Sequence, residues 1–334
     1  VGSGNATMMT YGSLKSNLET KVDGVKKFNV NPDLWNHYSQ SKYKDAFEYK
    51  RGSETNKYEY KHTYEPAWSE MSQQVKNSFV NYGDAAIITI CRVSGEYIDC
   101  YMTGAETESG DYLGLSGNER KMIQEVVNLK KTGTFKKVIL LLNTATSMNF
   151  KEIIPFKSDI DTCMWIGQGA VYGFDVLADA LLGTAITSGH LPDTYAMDAQ
   201  SAPAAVNGKS STYTNASELG LKTKDKFART DAQAYYIAYQ EGIYVGYKYY
   251  ETRYEDSVLG QGKAATTAGA VNSKSNWKYS EEVAFPFGFG EALTSFEYSD
   301  FKLSKNNNGS YSAKITVKNS GNYKGKVEVV KEAE

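Results

Sequence analysis

Apolar positions along the middle of the chain fall into two alternating rhythms. The run Ala85-Ala86-Ile87-Ile88-Thr89-Ile90-Cys91 is short, β-branched and closed by Ser94-Gly95, the pattern of a buried strand. A polar loop follows, and then Met122, Ile123, Val126 and Val127 recur at helical spacing. Ser116 with Glu119 three residues later reads as a capping box, so Ser116 is the expected N-cap. Lys137-Val138-Ile139-Leu140-Leu141-Leu142-Asn143 and Thr162-Cys163-Met164-Trp165-Ile166-Gly167 repeat the strand signal, and a further helix is expected from Phe174 to Leu182. Nearly continuous apolar strands alternating with helices predict an α/β fold, a three-layer sandwich with a mostly parallel sheet covered on both faces.

The flanks are less regular. Asn31 to Ser69, crowded with Tyr, Lys and Glu, reads as an elaborated loop or peripheral helices. Ser201 to Lys226, rich in Ser, Thr, Ala and Asn, reads as a long excursion. From Phe296 the period changes to two: strands around Tyr298–Leu303 and Tyr311–Val317 flank a turn at Asn306-Asn307-Asn308-Gly309, with another strand expected at Lys326–Val330. This is the opening of an immunoglobulin-like sandwich, which needs about 100 residues, and 39 residues follow Ser295. The expectation is therefore an incomplete β-sandwich on a piece of a longer protein.

Composition narrows the classes. In 334 residues, 37 Lys and Arg face 39 Asp and Glu, for a net charge of −2, which argues against a strongly basic nucleic-acid binder and an acidic disordered tail. No apolar run approaches the roughly 18 residues that a membrane helix needs, and Val1 to Thr10 lack a signal-peptide pattern. Localisation stays unassigned. Cys91, Cys100 and Cys163 are too few for a disulfide framework, and Cys91 and Cys163, each beside an apolar run, are expected to be small buried hydrophobes. The 26 tyrosines suit sugar-stacking surfaces without identifying one.

Candidate chemistry is sparse. His37, His62 and His190 have no metal-ligand spacing to each other or to cysteine, so neither a metal nor a cofactor is expected. Gly167-Gln168-Gly169-Ala170-Val171-Tyr172-Gly173 lies between a strand and a helix, but its third glycine falls one place late for a dinucleotide fingerprint. Its acidic partner would have to be Asp193; a tight strand-to-helix turn explains the glycines more simply. Glu96, in Arg92-Val93-Ser94-Gly95-Glu96-Tyr97-Ile98-Asp99, occupies the loop just past the first strand, where ligands of open parallel sheets bind. Position alone leaves two readings of Glu96 open: a general acid or base, or a solvated carboxylate paired with Arg92.

Taken in order, several stretches resemble glycoside hydrolase family 3, the β-glucosidase and β-xylosidase family. They include Val1-Gly2-Ser3-Gly4-Asn5, Arg92-Val93-Ser94-Gly95-Glu96, Leu113-Gly114-Leu115-Ser116-Gly117-Asn118-Glu119 and Val138 to Met148. Ser188-Gly189-His190-Leu191-Pro192-Asp193, Glu241-Gly242-Ile243-Tyr244-Val245-Gly246-Tyr247 and Phe285-Pro286-Phe287-Gly288-Phe289-Gly290 continue the series. The resemblance implies an α/β sandwich domain over 1–290 and the start of a fibronectin type III-like domain over 291–334, in a reversed-order bacterial subgroup. It implies that Glu96 is the catalytic acid/base of a retaining β-glycosidase acting on a β-linked glucoside or oligosaccharide, with Arg92 and Asp99 as loop supports or substrate contacts. The family's nucleophile lies on a (β/α)₈ barrel, a domain this chain does not encode, so the barrel is the implied partner and the chain alone is expected to be inactive. Cys91, Ser147, Asn149 and Glu291-Ala292-Leu293 depart from the family pattern. Two other functions compete with the enzyme half: a carbohydrate-binding or scaffolding module, and a nucleotide-binding α/β domain.

Overall fold

The computed structural model describes residues 14–40, 42, 58–60, 63–94, 98–100, 103–167, 174, 176–207, 211–212, 215, 218–220, 222–224, 231–233, 235–236, 238–261 and 277–327. In chain order the elements that matter here are α1 (Leu14–Leu18), α2 (Pro32–Tyr38), β1 (Tyr58–Tyr60), α3 (Gln73–Ser78), β2 (Ala86–Arg92), β3 (Ile98–Cys100), α4 (Gly117–Lys131) and β4 (Val138–Thr144). They are followed by β5 (Thr162–Trp165), α5 (Leu177–Leu182), β6 (Tyr195–Ala196), α6 (Tyr247–Tyr254), β7 (Val283–Phe285), β8 (Phe296–Lys305) and β9 (Tyr311–Asn319).

The three apolar runs pair as a parallel sheet in the order β2-β4-β5. Register places Ile88, Leu140 and Cys163 in one row and Ile90, Leu142 and Trp165 in the next, so both rows share a face. Against this face α4 lays Met122, Ile123, Val126 and Val127, and Met71, Val75 and Phe79 close the same core. Each Leu or Ile buried there is worth about 1.5–3 kcal/mol, which is why the helical and strand periods must agree. α4 starts where its sequence says: Ser116 accepts from the Glu119 N–H, and the Glu119 carboxylate accepts from the Ser116 N–H. Gly83 has no room for a side chain, since a Cβ would lie 2.4 Å from the Thr134 carbonyl oxygen.

The fold is α/β, followed by β elements. Two local expectations fail. Cys91 and Cys163 are both exposed rather than buried. Cys91 alternates with buried Ile90 and Arg92 and so points to the other face at the end of its strand. Cys163 lies on β5, which ends the three-strand row and shows mostly exposed positions. An unforeseen addition is β1, which pairs in parallel with β3, Tyr58 with Ile98 and Tyr60 with Cys100.

The tail forms an antiparallel hairpin, β8 with β9, and one extra residue near Asp300 (φ 55°) shifts its register. The bulge returns Phe301 and Leu303 to the face that holds Phe296, Tyr298, Ala313, Ile315 and Val317. The opposite face carries Glu297, Ser299, Lys302, Lys314, Thr316 and Lys318. Phe301 and Leu303 are exposed. The strand expected at Lys326–Val330 falls mostly outside the described residues, and Lys326 and Val327 are not in a strand.

Candidate functional site

Ligands of a parallel sheet bind beyond its carboxyl ends, and there the chain concentrates its buried polar groups. Arg92, the last residue of β2, is 2% exposed. Its Nε donates to the Tyr112 carbonyl (2.7 Å), and its Nη1 to the Cys91 carbonyl and Glu119 Oε1 (2.7 Å each). Its Nη2 reaches Glu119 Oε2 (2.8 Å) and the Gly114 carbonyl. A guanidinium has five N–H donors, and all five are engaged within the protein. Arg92 therefore ties the end of β2, the 112–114 loop and the first turn of α4 together, and has no donor left for a substrate.

The Val93 N–H donates to the Tyr112 hydroxyl at 3.0 Å, so the first residue past β2 is held by the same loop. Asp111 joins three segments: its Oδ1 accepts from the Leu113 N–H (2.9 Å), and its Oδ2 from Asn149 Nδ2 (3.1 Å) and Gln200 Nε2 (2.7 Å). Asn149 Oδ1 in turn accepts from the Ala199 N–H at 2.9 Å. Buried Glu152 accepts from the Leu115 N–H at 2.6 Å and from Arg120. Gly114 suits this crossing, because a Cβ would stand 2.3 Å from Ser109 Oγ and 2.6 Å from Glu152 Oε1 and would push both side chains aside.

Glu65 adds the perturbed acid. Its Oε1 accepts from the Tyr38 hydroxyl (2.6 Å), and its carbonyl accepts from Asn118 Nδ2 (2.8 Å) in the first turn of α4. Burial pushes its carboxyl up to about 7. The Tyr38 bond opposes that rise, and the Glu119 charge adds to it. Such a group at the carboxyl edge marks where charge is tuned.

The residues foreseen from sequence fare differently. Arg92 lies in the clamp just described. Asp99 is on β3, in register with Glu59 of β1. Glu96 lies outside the described residues, between Ser94 and Ile98, as does most of the glycine loop from Gln168 to Gly173. Glu119 was legible only as a helix cap; Asp111 and Glu65 carried no signal, since their partners are far away in sequence. Among the described residues no group of three or more His, Cys, Asp or Glu could hold a metal ion, and no helix is long and apolar enough to cross a membrane.

Comparison with known proteins bears on this edge. Residues 1–247 match the profile of the glycosyl hydrolase family 3 C-terminal domain. Beta-glucosidase A of Butyrivibrio fibrisolvens is 28% identical over 240 residues, 66% of this chain and 22% of that protein. A beta-glucosidase of Ruminococcus albus is 28% identical over 236 residues, 70% of this chain and 18% of that protein. The chain thus spans about a fifth of the length of these curated relatives. Beta-glucosidase 3B of Thermotoga neapolitana, solved with alpha-D-glucose, superposes with a TM-score of 0.60 at 22% identity, over 92% of this chain and 34% of that one. A beta-glucosidase of Paenibacillus barengoltzii gives the same score and identity over 94% and 27%. These two likenesses establish the fold.

Proposed function

The chain belongs to glycosyl hydrolase family 3, and from that premise we propose that it supplies the acid/base half of a retaining β-glycosidase, with Glu96 as the acid/base. The observation that carries the reading is the clamp at the carboxyl end of β2: Arg92 fixes the start of the Ser94-Gly95-Glu96 loop, and β1 pairs with β3 just after it. The described residues on either side of Gly95-Glu96-Tyr97 are thereby held, and the preceding one lies at the carboxyl end of β2, the edge where ligands of parallel sheets bind. β-Glucosidase activity is what the relatives' names state; here it is the proposal.

In double displacement, protonated Glu96 donates to the leaving oxygen as a carboxylate nucleophile attacks the anomeric carbon. Glu96 then deprotonates the water that releases the sugar. The nucleophile must stand about 5–5.5 Å away, and we assign it to a barrel domain of the parent protein, because this chain has no eight-fold βα pattern. The substrate is a β-linked glucoside or oligosaccharide, and this chain alone does not turn it over.

The test is Glu96→Gln in the complete enzyme. Acid–base assistance is worth about 10²–10⁴-fold, so kcat/KM for cellobiose falls by that order. It falls far less for a dinitrophenyl glucoside, whose leaving group needs no proton. Azide then releases the accumulated glycosyl-enzyme as the β-glycosyl azide. Equal losses on both substrates without azide rescue would move the acid to another residue.

A further inference from the structure

Away from the carboxyl edge, a second core holds an ionised group that the proposed chemistry does not use. Tyr249, Tyr250 and Trp277 pack with Ala196, Ala202 and Val283. Into this cluster α6 places Arg253, one turn beyond Tyr249 and 0% exposed. Its guanidinium carbon lies 4.8 Å from the Trp277 ring centroid and 5.6 Å from that of Tyr249. Nη1 donates to the Tyr249 hydroxyl, the one acceptor Arg253 reaches among the described residues. Arg253 Nε and Trp277 Nε1 are both buried, and neither has an acceptor among the described residues. No carboxylate among the described residues forms an ion pair with Arg253; Glu282 acts by its charge on Tyr249 and Tyr250.

A guanidinium does not give up its proton in a protein. A buried cation without a counter-charge is among the costliest arrangements in a fold, and cation–π contacts offset only part of that cost. Two orphan donors in one cluster, one on a cation and one on an indole whose ring centroid lies 4.8 Å from the guanidinium carbon, call for a shared acceptor, and the want of an ion-paired carboxylate among the described residues calls for that acceptor to be negative. We propose that Arg253 and Trp277 form a binding site for one small monovalent anion of the halide class, chloride in particular. The ion accepts from Arg253 Nε–H and Trp277 Nε1–H. The edges of the aromatic rings, which carry the positive end of the quadrupole, suit an anion lying beside them. Phosphate or sulfate would arrive with more charge and more acceptor oxygens than two N–H groups can serve in apolar surroundings. A water would satisfy the donors but leave the charge uncompensated. The bound ion links α6 to the segment that enters β7. This inference is independent of the glycosidase reading.

Thermal unfolding of the 334-residue chain at fixed pH and ionic strength, with sodium chloride replaced stepwise by sodium gluconate, reads the site directly. Tm rises with chloride, as it must when a ligand binds only the folded state, and bromide substitutes for chloride. Crystals grown in bromide show an anomalous peak within hydrogen-bond distance of Arg253 Nε and Trp277 Nε1. Arg253→Met removes the halide response. Trp277→Phe keeps the ring and loses one donor, weakening the apparent halide affinity by about 2- to 10-fold; it carries the test if Arg253→Met does not fold. The same Tm in chloride and gluconate for the unaltered chain overturns the proposal. So do bromide peaks confined to the surface, which are an adventitious ion only, or an Arg253→Met chain that keeps its full halide response.

Discussion

The two edges of the β2-β4-β5 sheet use carboxylates in opposite ways. At the amino edge Asp161, just before β5, accepts from Lys130 Nζ (2.6 Å), Lys137 Nζ (2.9 Å) and the Val138 N–H (2.8 Å). Burial alone would raise its pKa, but these donors hold the carboxyl well below the usual range. At the carboxyl edge Glu119 is buried against Arg92, Asp111 is buried among amide donors, and Glu65 is pushed up to about 7. One edge fastens strand ends with lysines that stay in contact with water. The other takes acids out of water and fixes them by networks that cross loops. The second arrangement is the kind that positions reacting groups and tunes proton affinity. The comparison therefore points to the carboxyl edge on physical grounds separate from family membership.

The sharpest way to break the comparison is Arg92→Met. It leaves the Glu119 carboxylate buried without its cation, and removing one partner of a buried pair costs about 3–5 kcal/mol. Urea unfolding should show that loss. Arg92→Met combined with Glu119→Gln should recover part of it, because the stranded charge is gone. A loss below about 1 kcal/mol for the single change would show that the carboxyl edge is no more tightly fastened than the other.

Glu65 gives the next largest effect, and its sign is specific. Its folded pKa lies above the unfolded value near 4.3. Between those values the folded state keeps a proton that the unfolded state has lost, so stability falls as pH rises from about 4.3 to about 7 and then levels off. The whole step is worth about 3–4 kcal/mol at 1.36 kcal/mol per pKa unit. Glu65→Gln is uncharged throughout and can still accept from Tyr38. It should remove that slope and be the more stable protein at pH 8, as seen in melting curves across the pH range. Direct titration of the Glu65 carboxyl by carbon NMR with a midpoint below 5.5 would contradict this.

Legibility from sequence follows the range of each interaction. β2, β4 and β5 were visible because each is a short, nearly continuous apolar run, although only β4 is buried along most of its length, and Ser116 with Glu119 because a capping box spans three. The hairpin was visible through its alternation, whereas the bulge at Asp300 was not. Arg92 was a candidate by its place in a loop, yet its partner Glu119 is 27 residues away. Asp111 meets Gln200 across 89 residues, a pairing that no local pattern encodes. The exposure of Cys91 and Cys163 depends on which face is covered and on which strand ends the sheet, two outcomes of assembly. Glu65 became visible only when burial and the Glu119 charge were both in place.

The smallest effect belongs to the amino edge, and it separates the two edges by sign. Asp161→Asn removes the charge that Lys130 and Lys137 share, at a site in partial contact with water, so screening limits the loss to about 0.5–1.5 kcal/mol at pH 7. Because the folded pKa of Asp161 is depressed, its contribution is present above the unfolded value near 3.9 and is lost as pH falls below it. Added salt should shrink the difference between Asp161→Asn and the unaltered chain, since the lysine partners reach solvent. Acidification from pH 7 to pH 5 should thus stabilise the chain through Glu65 while leaving the Asp161 contribution intact. Only below about pH 4 should the amino edge begin to give way. Melting curves of the single variants and of the double variant Glu65→Gln/Asp161→Asn resolve the two windows. If both slopes moved together in either single variant, the edges would be one coupled electrostatic unit and the contrast between them would fail.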